Sequence, residues 1–276
     1  MGEIKKGRIR MDTKIKIDYF AISINDNCNL NCKSCGSCAP LAQRPNFIDV
    51  DVLKQRVIKL NDIVEFNRIV VLGGEPLLHP KIFDIINFLS DLFQNTQIGL
   101  YTNGLLLKKH LTHSNVKILQ KKNVEAMFSK YPIKFDYDEL FKILDVLHIN
   151  NYVNVDWTQK PKDKTDYWTQ ISIDKNKNEI PYCFMANEAC DMVLKNDKIY
   201  GCSIISSIDL LNEYFKENIH ISKNDYLSIK DLSKDNLSKF IANIQQMKMP
   251  FCKMCGGTKL HTQWGISKKD RREWIK

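Results

Sequence analysis

Nine cysteines dominate the chemistry that this chain could perform. Three of them, Cys28, Cys32 and Cys35, lie in the run Cys28-Asn-Leu-Asn-Cys32-Lys-Ser-Cys35. Thiols spaced this closely suit a multi-thiolate metal centre, because several sulfurs must reach one centre. Three thiolates can bind three irons of a cubane and leave the fourth iron open. An open iron can chelate a small molecule, so such a cluster does more than carry electrons. Cys38 follows at once. As a fourth ligand it would make a zinc site, and the loop alone permits both readings.

A second group follows a Cys-free stretch from residue 39 to residue 182. Cys190 and Cys202 flank Asn196-Asp197-Lys198, a hairpin-turn signal. Two thiols beside one hairpin can clamp one side of a centre, and the Cys252-Lys-Met-Cys255 pair can supply the other. Four thiolates fit either an iron–sulfur cluster or zinc. Cys38 and Cys183 are then left over. The plain reading of each is a small buried apolar residue. The functional reading is a thiol that returns a hydrogen atom to a substrate radical, with Cys183 the candidate catalytic residue because it enters the second group. Cys183 could also replace Cys190 as a ligand. An odd cysteine count with no secretory signal argues against a disulfide framework.

The elements that must position these residues follow from hydrophobic spacing. Residues 15–24 read as a strand that leads into the first cysteine loop. Val50 to Phe66 carries Leu53, Val57, Leu60 and Val64 at helical spacing. Arg68 to Leu72 reads as a short buried strand, ended by Gly73-Gly74-Glu75-Pro76. A helix over Ile82 to Phe93 leads to a strand over Gln97 to Tyr101, ended by Thr102-Asn103-Gly104. A weak helix at Asn115 to Gln120, a strand at Val124 to Phe128, a helix at Tyr137 to Leu147 and a strand at Tyr152 to Trp157 complete the series. Alternating strands and helices imply a parallel sheet, and ligands of such folds sit at the carboxyl ends of the strands. The Cys28–Cys35, Gly73–Pro76 and Thr102–Gly104 loops all lie at those ends. Residues 158–180 are polar and have no clear period. The Lys268–Arg272 run, with Trp264 and Trp274, reads as a C-terminal helix packed on the barrel.

These motifs, in this order and each after a predicted strand, resemble the radical S-adenosylmethionine (SAM) superfamily. Gly73-Gly74-Glu75-Pro76 resembles the family's GGE motif, whose backbone and Glu hold the methionine amino group. Thr102-Asn103-Gly104 resembles its TNG turn, so Gly73, Gly74, Glu75, Thr102 and Asn103 are expected to bind SAM. Ser129 and Lys130 stand where relatives place a polar contact to ribose or carboxylate. Ser34 departs from the aromatic residue that many relatives carry before the third Cys, and Tyr101 is the substitute considered for the adenine. The resemblance implies a partial parallel (β/α)6-type barrel over residues 14–180. It also implies a Twitch/SPASM-like module over 181–262 that holds a second, auxiliary 4Fe–4S cluster through Cys190, Cys202, Cys252 and Cys255. A basic tail, 263–276, follows. A 4Fe–4S cluster on Cys28, Cys32 and Cys35 would reduce SAM, and the 5′-deoxyadenosyl radical would abstract a substrate hydrogen. A flavodoxin or ferredoxin-type donor would supply the electron.

Composition sets the outer limits. With 43% hydrophobic and 26% charged residues, the 276-residue chain can bury a sizeable core. No apolar run approaches the ~18 residues of a spanning helix, and no signal h-region follows the N-terminal lysines, so a cytoplasmic protein is expected. The net charge of +9 is spread along the chain without interleaved aromatics, which does not suggest nucleic acid but would suit a phosphate handle on a substrate. The string after the cysteines, Ala39-Pro40-Leu41-Ala42, looks like a subgroup linked to saccharide biosynthesis. The leading expectation is therefore oxidation or epimerisation of a sugar, cyclitol or nucleotide-linked saccharide, with oxidation favoured. The alternatives are a maturase of ribosomally made peptides and a non-enzymatic zinc or iron–sulfur protein.

Overall fold

The computed structural model describes residues 14–158, 168–170, 173, 192–255, 260–262 and 264–275. The elements run β1 (Ile15–Ser23), α1 (Val50–Ile63), β2 (Val64–Leu72), α2 (Ile82–Leu92), β3 (Gln97–Thr102), α3 (Leu107–His110), α4 (His113–Leu119) and β4 (Val124–Lys130). They continue with α5 (Tyr137–Val146), β5 (Asn151–Asp156), β6 (Trp168–Gln170), β7 (Met192–Lys195), β8 (Lys198–Tyr200), α6 (Ile208–Phe215), β9 (Tyr226–Ser228), α7 (Lys234–Gln245) and β10 (Leu260–Thr262).

The main sheet has the order β5-β4-β3-β2-β1-β7-β8-β9. β1 to β5 are parallel, and β7 joins parallel to β1 on its free side. The fold is thus α/β with a mostly parallel sheet, as expected for a partial barrel. β8 and β9 extend the sheet antiparallel, so the hairpin at Asn196 continues the main sheet. Asn196 adopts φ 54°, which the turn requires and Asn tolerates.

Local signals start the helices. Asp49 caps α1 by accepting from the Asp51 and Val52 amides, both at 3.0 Å. Asp136 caps α5 through the Glu139 amide at 2.8 Å. The helical spacing of Val50–Phe66 is overridden at its end. Val64 and Phe66 leave α1 and pair opposite Ile15 and Ile17 of β1. A branched and an aromatic side chain gain more there, buried on a pleated surface beside a backbone ladder.

Each strand alternates between two faces. Phe20, Ile22, Ile69, Val71, Ile98, Leu100 and Phe128 join the apolar core beneath the helices. Their neighbours Ser23, Arg68, Tyr101, Glu125, Ser129 and Tyr152 project from the opposite face, which also carries Ala21, Val70, Met127 and Val193. No helix among the described residues is long and apolar enough to cross a membrane.

The C-terminal segment departs from the expected helix. Gly265 to Ser267 pairs antiparallel with the cysteine loop: the Lys33 amide donates to Gly265 O at 2.8 Å and the Ser267 amide to Asn31 O at 2.7 Å. Only Arg271–Glu273 forms a short 3-10 turn. The buried Glu273 carboxylate accepts from Ser267 Oγ at 2.7 Å and from the Lys268 amide at 2.8 Å. Lys269 takes φ 55°, which a helix cannot continue through. Trp274 is fully buried, and its Nε1 donates to Cys35 O at 3.0 Å. Trp274→Ala is expected to destabilise the chain by about 3–5 kcal/mol, through lost burial and an unpaired carbonyl. Trp274→Phe should cost less. Anaerobic urea unfolding of the cluster-free protein checks both.

Candidate active site at the carboxyl ends of the strands

The loops after β1, β2 and β3 meet through one buried carboxylate. Glu75 is 1% exposed. Its Oε1 accepts from Thr102 Oγ1 at 2.6 Å and from the Leu77 amide at 3.0 Å, and its Oε2 accepts from the Asn103 amide at 2.9 Å. Asn103 then reaches the cysteine loop. Its Nδ2 donates to Asn29 Oδ1 at 2.7 Å and lies 3.8 Å from Cys28 Sγ.

Gly73 and Gly74 dock by backbone on the stretch that follows β1. The Gly74 amide donates to Asn25 O at 2.9 Å and the Glu75 amide to Asn27 O at 2.7 Å. A Cβ at Gly73 would lie 2.3 Å from Asn25 Oδ1, and one at Gly74 would lie 2.2 Å from Asn27 O. Only glycine allows this approach. Asn25 Nδ2 also donates to Glu75 O at 3.0 Å.

Cys28, Cys32 and Cys35 stand within electrostatic reach of one another. Burial pushes all three thiols up, Cys32 to about 11. Such thiols stay protonated at neutral pH unless a metal centre supplies positive charge. Among the described residues, no three His, Cys, Asp or Glu side chains converge on a point that would hold a single metal ion. A cubane asks for a wider spacing, because each thiolate binds a different iron. Three buried polar atoms around this loop lack a hydrogen-bond partner: Asn25 Oδ1, Ser34 Oγ and Trp264 Nε1. The Trp264 indole packs on Tyr131 with ring centroids 5.6 Å apart, and both side chains are oriented toward Cys32. Three buried thiols beside unpaired polar atoms fit an iron–sulfur cluster with a polar ligand.

Ser129 and Lys130 are the last residues of β4 and do not follow it. Ser129 Oγ donates to Tyr101 OH at 2.8 Å, where Asn154 Nδ2 also donates at 3.3 Å. Lys130 pairs with Asp138 at 3.7 Å. Cys38 packs in the apolar core, 3% exposed, where burial pushes its thiol well up. His79 is buried and its Nε2 faces Ile48 O at 3.0 Å. Cys202, Cys252 and Cys255 are half-buried. Gly201, beside Cys202, packs against Ile244 and against Met249, which lies three residues before Cys252. Cys183 and Cys190 lie outside the described residues.

Two cations of this sheet face, Arg68 and Lys195, are neutralised. Arg68 contacts Glu125 at 3.2 Å and donates to Tyr152 OH at 2.7 Å. Lys195 contacts Asp26 at 2.5 Å, and both are nearly buried.

A family model described as the Radical SAM superfamily matches residues 22–127. This stretch contains the cysteine loop, the GGE turn and the TNG turn, in the geometry just described. The chain carries a radical SAM domain. GTP 3′,8-cyclase of Nostoc punctiforme is 32% identical over 103 residues, which cover 33% of this chain and 29% of that relative. GTP 3′,8-cyclase of Clostridium perfringens is 24% identical over 286 residues, covering 93% of this chain and 84% of the relative. The first of these matches therefore spans less than a third of the curated relative's length. The solved structure of BtrN in complex with AdoMet and 2-DOIA shares the fold, with TM-score 0.53 and 14% identity over 91% of this chain and 99% of BtrN. Residues 22–127 thus belong to a family that works through SAM and a 4Fe–4S cluster.

Sequence reading missed Asn25, Asn27, Tyr131, Tyr137 and the contact of Trp264 with the radical SAM site. Asn25 and Asn27 had a local signal, since they directly follow β1. Tyr137 OH, which donates to Asn103 O at 3.1 Å, had none. Trp264 lies far from the cysteines in sequence.

Burial pushes the Glu75 carboxyl from 4.5 up to about 7, against the three donors that hold it down. Its folded value lies above its unfolded one, so the folded state binds the extra proton between these values. Stability of the ligand-free protein is therefore expected to fall as pH rises from 4.5 to about 7, and to level off above that. Glu75→Gln should remove this slope, as urea midpoints measured across the window would show.

Proposed function

We propose that this radical SAM enzyme abstracts a hydrogen atom from a neutral, hydroxyl-rich small molecule of the sugar or cyclitol kind. The observation that carries this reading is the polar sheet face. Tyr101, Ser129 and Asn154 offer a linked set of hydroxyl and amide groups there. Arg68 and Lys195, two cations of that face, are each held by a buried carboxylate. A phosphate would have to break these pairs, and breaking a buried pair is costly.

Cys28, Cys32 and Cys35 would hold a 4Fe–4S cluster, and Gly73, Gly74, Glu75, Thr102 and Asn103 would shape the SAM pocket beside it. Bound together, cluster and SAM supply a hydrogen-abstracting 5′-deoxyadenosyl radical. The protein's own tasks are to orient the substrate carbon and to exclude water. Glu75 acts here chiefly by fixing Thr102 and Asn103 against Cys28. Cys190, Cys202, Cys252 and Cys255 would hold an auxiliary cluster, a reading supported by the packing of Gly201, beside Cys202, against Met249, three residues before Cys252. Such a cluster would accept the second electron of an oxidation. Cys183 would serve instead in an epimerisation.

A second reading is chemistry on a purine nucleotide. It is favoured by the match to the Clostridium perfringens GTP 3′,8-cyclase over 93% of this chain. The paired state of Arg68 and Lys195 speaks against a triphosphate.

The test is anaerobic turnover with SAM and a strong reductant against neutral sugars and cyclitols, their phosphate esters and GTP. Stimulated 5′-deoxyadenosine release by neutral polyols is expected. Stimulation by GTP alone would overturn the substrate reading. Replacing Cys28, Cys32 and Cys35 together with Ala should lower reconstituted iron from about eight to about four per chain and abolish SAM cleavage. With a responding substrate in heavy water, a product lighter by a hydrogen pair marks oxidation. Solvent deuterium on carbon that depends on Cys183 marks epimerisation.

A further inference from the structure

The C-terminal strap places a donor beside the cysteine loop that the chemistry above does not use. The Trp264 indole Nε1 is buried and completes no hydrogen bond among the described residues. An indole can only donate, and a buried donor without an acceptor is costly. The strap nevertheless fixes Trp264 in place. Cys32 bridges antiparallel to Ile266, two residues beyond it. On either side of that bridge, the Lys33 amide is bound to Gly265 O, and Asn31 Nδ2 donates to Ser267 O at 3.0 Å. The indole also packs on the Tyr131 ring.

Tyr131 is held as firmly. Its amide donates to Tyr137 OH at 3.2 Å, and Tyr137 OH in turn donates to Asn103 O. Trp264 and Tyr131 both stand beside the Cys32 sulfur, each with its polar group within reach of it. A neutral thiol is a weak acceptor, so the indole gains little from it. A metal-bound thiolate carries negative charge, and hydrogen bonds to an ionised partner are roughly twice as strong as neutral ones. The acceptor that the indole lacks is therefore Cys32 in its cluster-bound form.

We propose that the Trp264 indole N–H and the Tyr131 hydroxyl donate to the Cys32 sulfur of the bound cluster and raise its reduction potential. This rests on the reading of Cys28, Cys32 and Cys35 as cluster ligands. Reduction adds one electron to a cluster and makes its sulfurs more negative. A donor at a sulfur then stabilises the reduced state more than the oxidised one. Both residues act through Cys32, so they are positioning residues. Neither belongs to the cysteine loop: Tyr131 follows β4 and Trp264 lies on the strap.

The test is an anaerobic redox titration of the reconstituted full chain with titanium(III) citrate, followed by EPR. The cluster on this loop is the one whose signal changes when SAM is added. Tyr131→Phe removes only the hydroxyl. At position 264 the benzothienyl isostere of Trp keeps the bicyclic ring and lacks the N–H. Each change should move the midpoint of that cluster to a more negative potential. At the wild-type midpoint the reduced-to-oxidised ratio should fall about threefold or more. Any second cluster should not shift. Without its cluster, the isostere variant should unfold at the wild-type urea midpoint, because the N–H it lacks had no partner there. An unshifted cluster midpoint in either variant would overturn the role of that residue. Equal shifts of two clusters would overturn the proposal, since the changes would then act on the protein at large. If wild type forms no SAM-sensitive cluster, the cluster reading fails and this proposal falls with it.

Discussion

The arrangement depends on the buried carboxylate of Glu75. A carboxylate removed from water is unfavourable unless its oxygens accept hydrogen bonds. Here the donors come from the turn after β3 and from Leu77, in Glu75's own loop. Satisfying this one group therefore holds the second and third strand ends together. Asn103, held in place by Glu75, extends the link to Asn29 and Cys28. The two glycines before Glu75 make the link possible, because any Cβ there would strike Asn25 or Asn27.

The sheet's two faces divide the remaining work. The helix-covered face is apolar and supplies the packing that holds the strand ends in place. The opposite face carries two ion pairs, Arg68 with Glu125 and Lys195 with Asp26. The Tyr101–Ser129–Asn154 set lies near the carboxyl ends of its strands, where a parallel sheet places its ligands.

The C-terminal strap gives the cysteine loop a second wall. Gly265 and Ser267 complete backbone hydrogen bonds that the loop cannot make internally, and Trp274 satisfies Cys35 O. A loop of closely spaced cysteines is otherwise poor in regular structure. Its rigidity comes from contacts with residues more than two hundred positions away.

Much of this was legible in the sequence because it is local. The thiol spacing, the alternation of strands and helices, and the glycine and Thr-Asn-Gly turns all depend on neighbours within a few residues. They placed the radical SAM core and the parallel sheet. The end of α1 was not legible, because Val64 and Phe66 fit helical spacing and only pairing with β1 makes them a strand. The fate of the basic C-terminal run was not legible either. Lys268–Arg272 has the composition of a solvated helix, but the buried Glu273 takes the Lys268 amide and the cysteine loop takes the backbone at Gly265 and Ser267. Residue types and spacing thus determined which chemistry the chain can support. Tertiary structure alone decided which groups are neutralised, which are buried without partners and which reach the cysteines. Charge pairing and burial depend on distances between strands and across the strap, and those distances exist only in the folded chain.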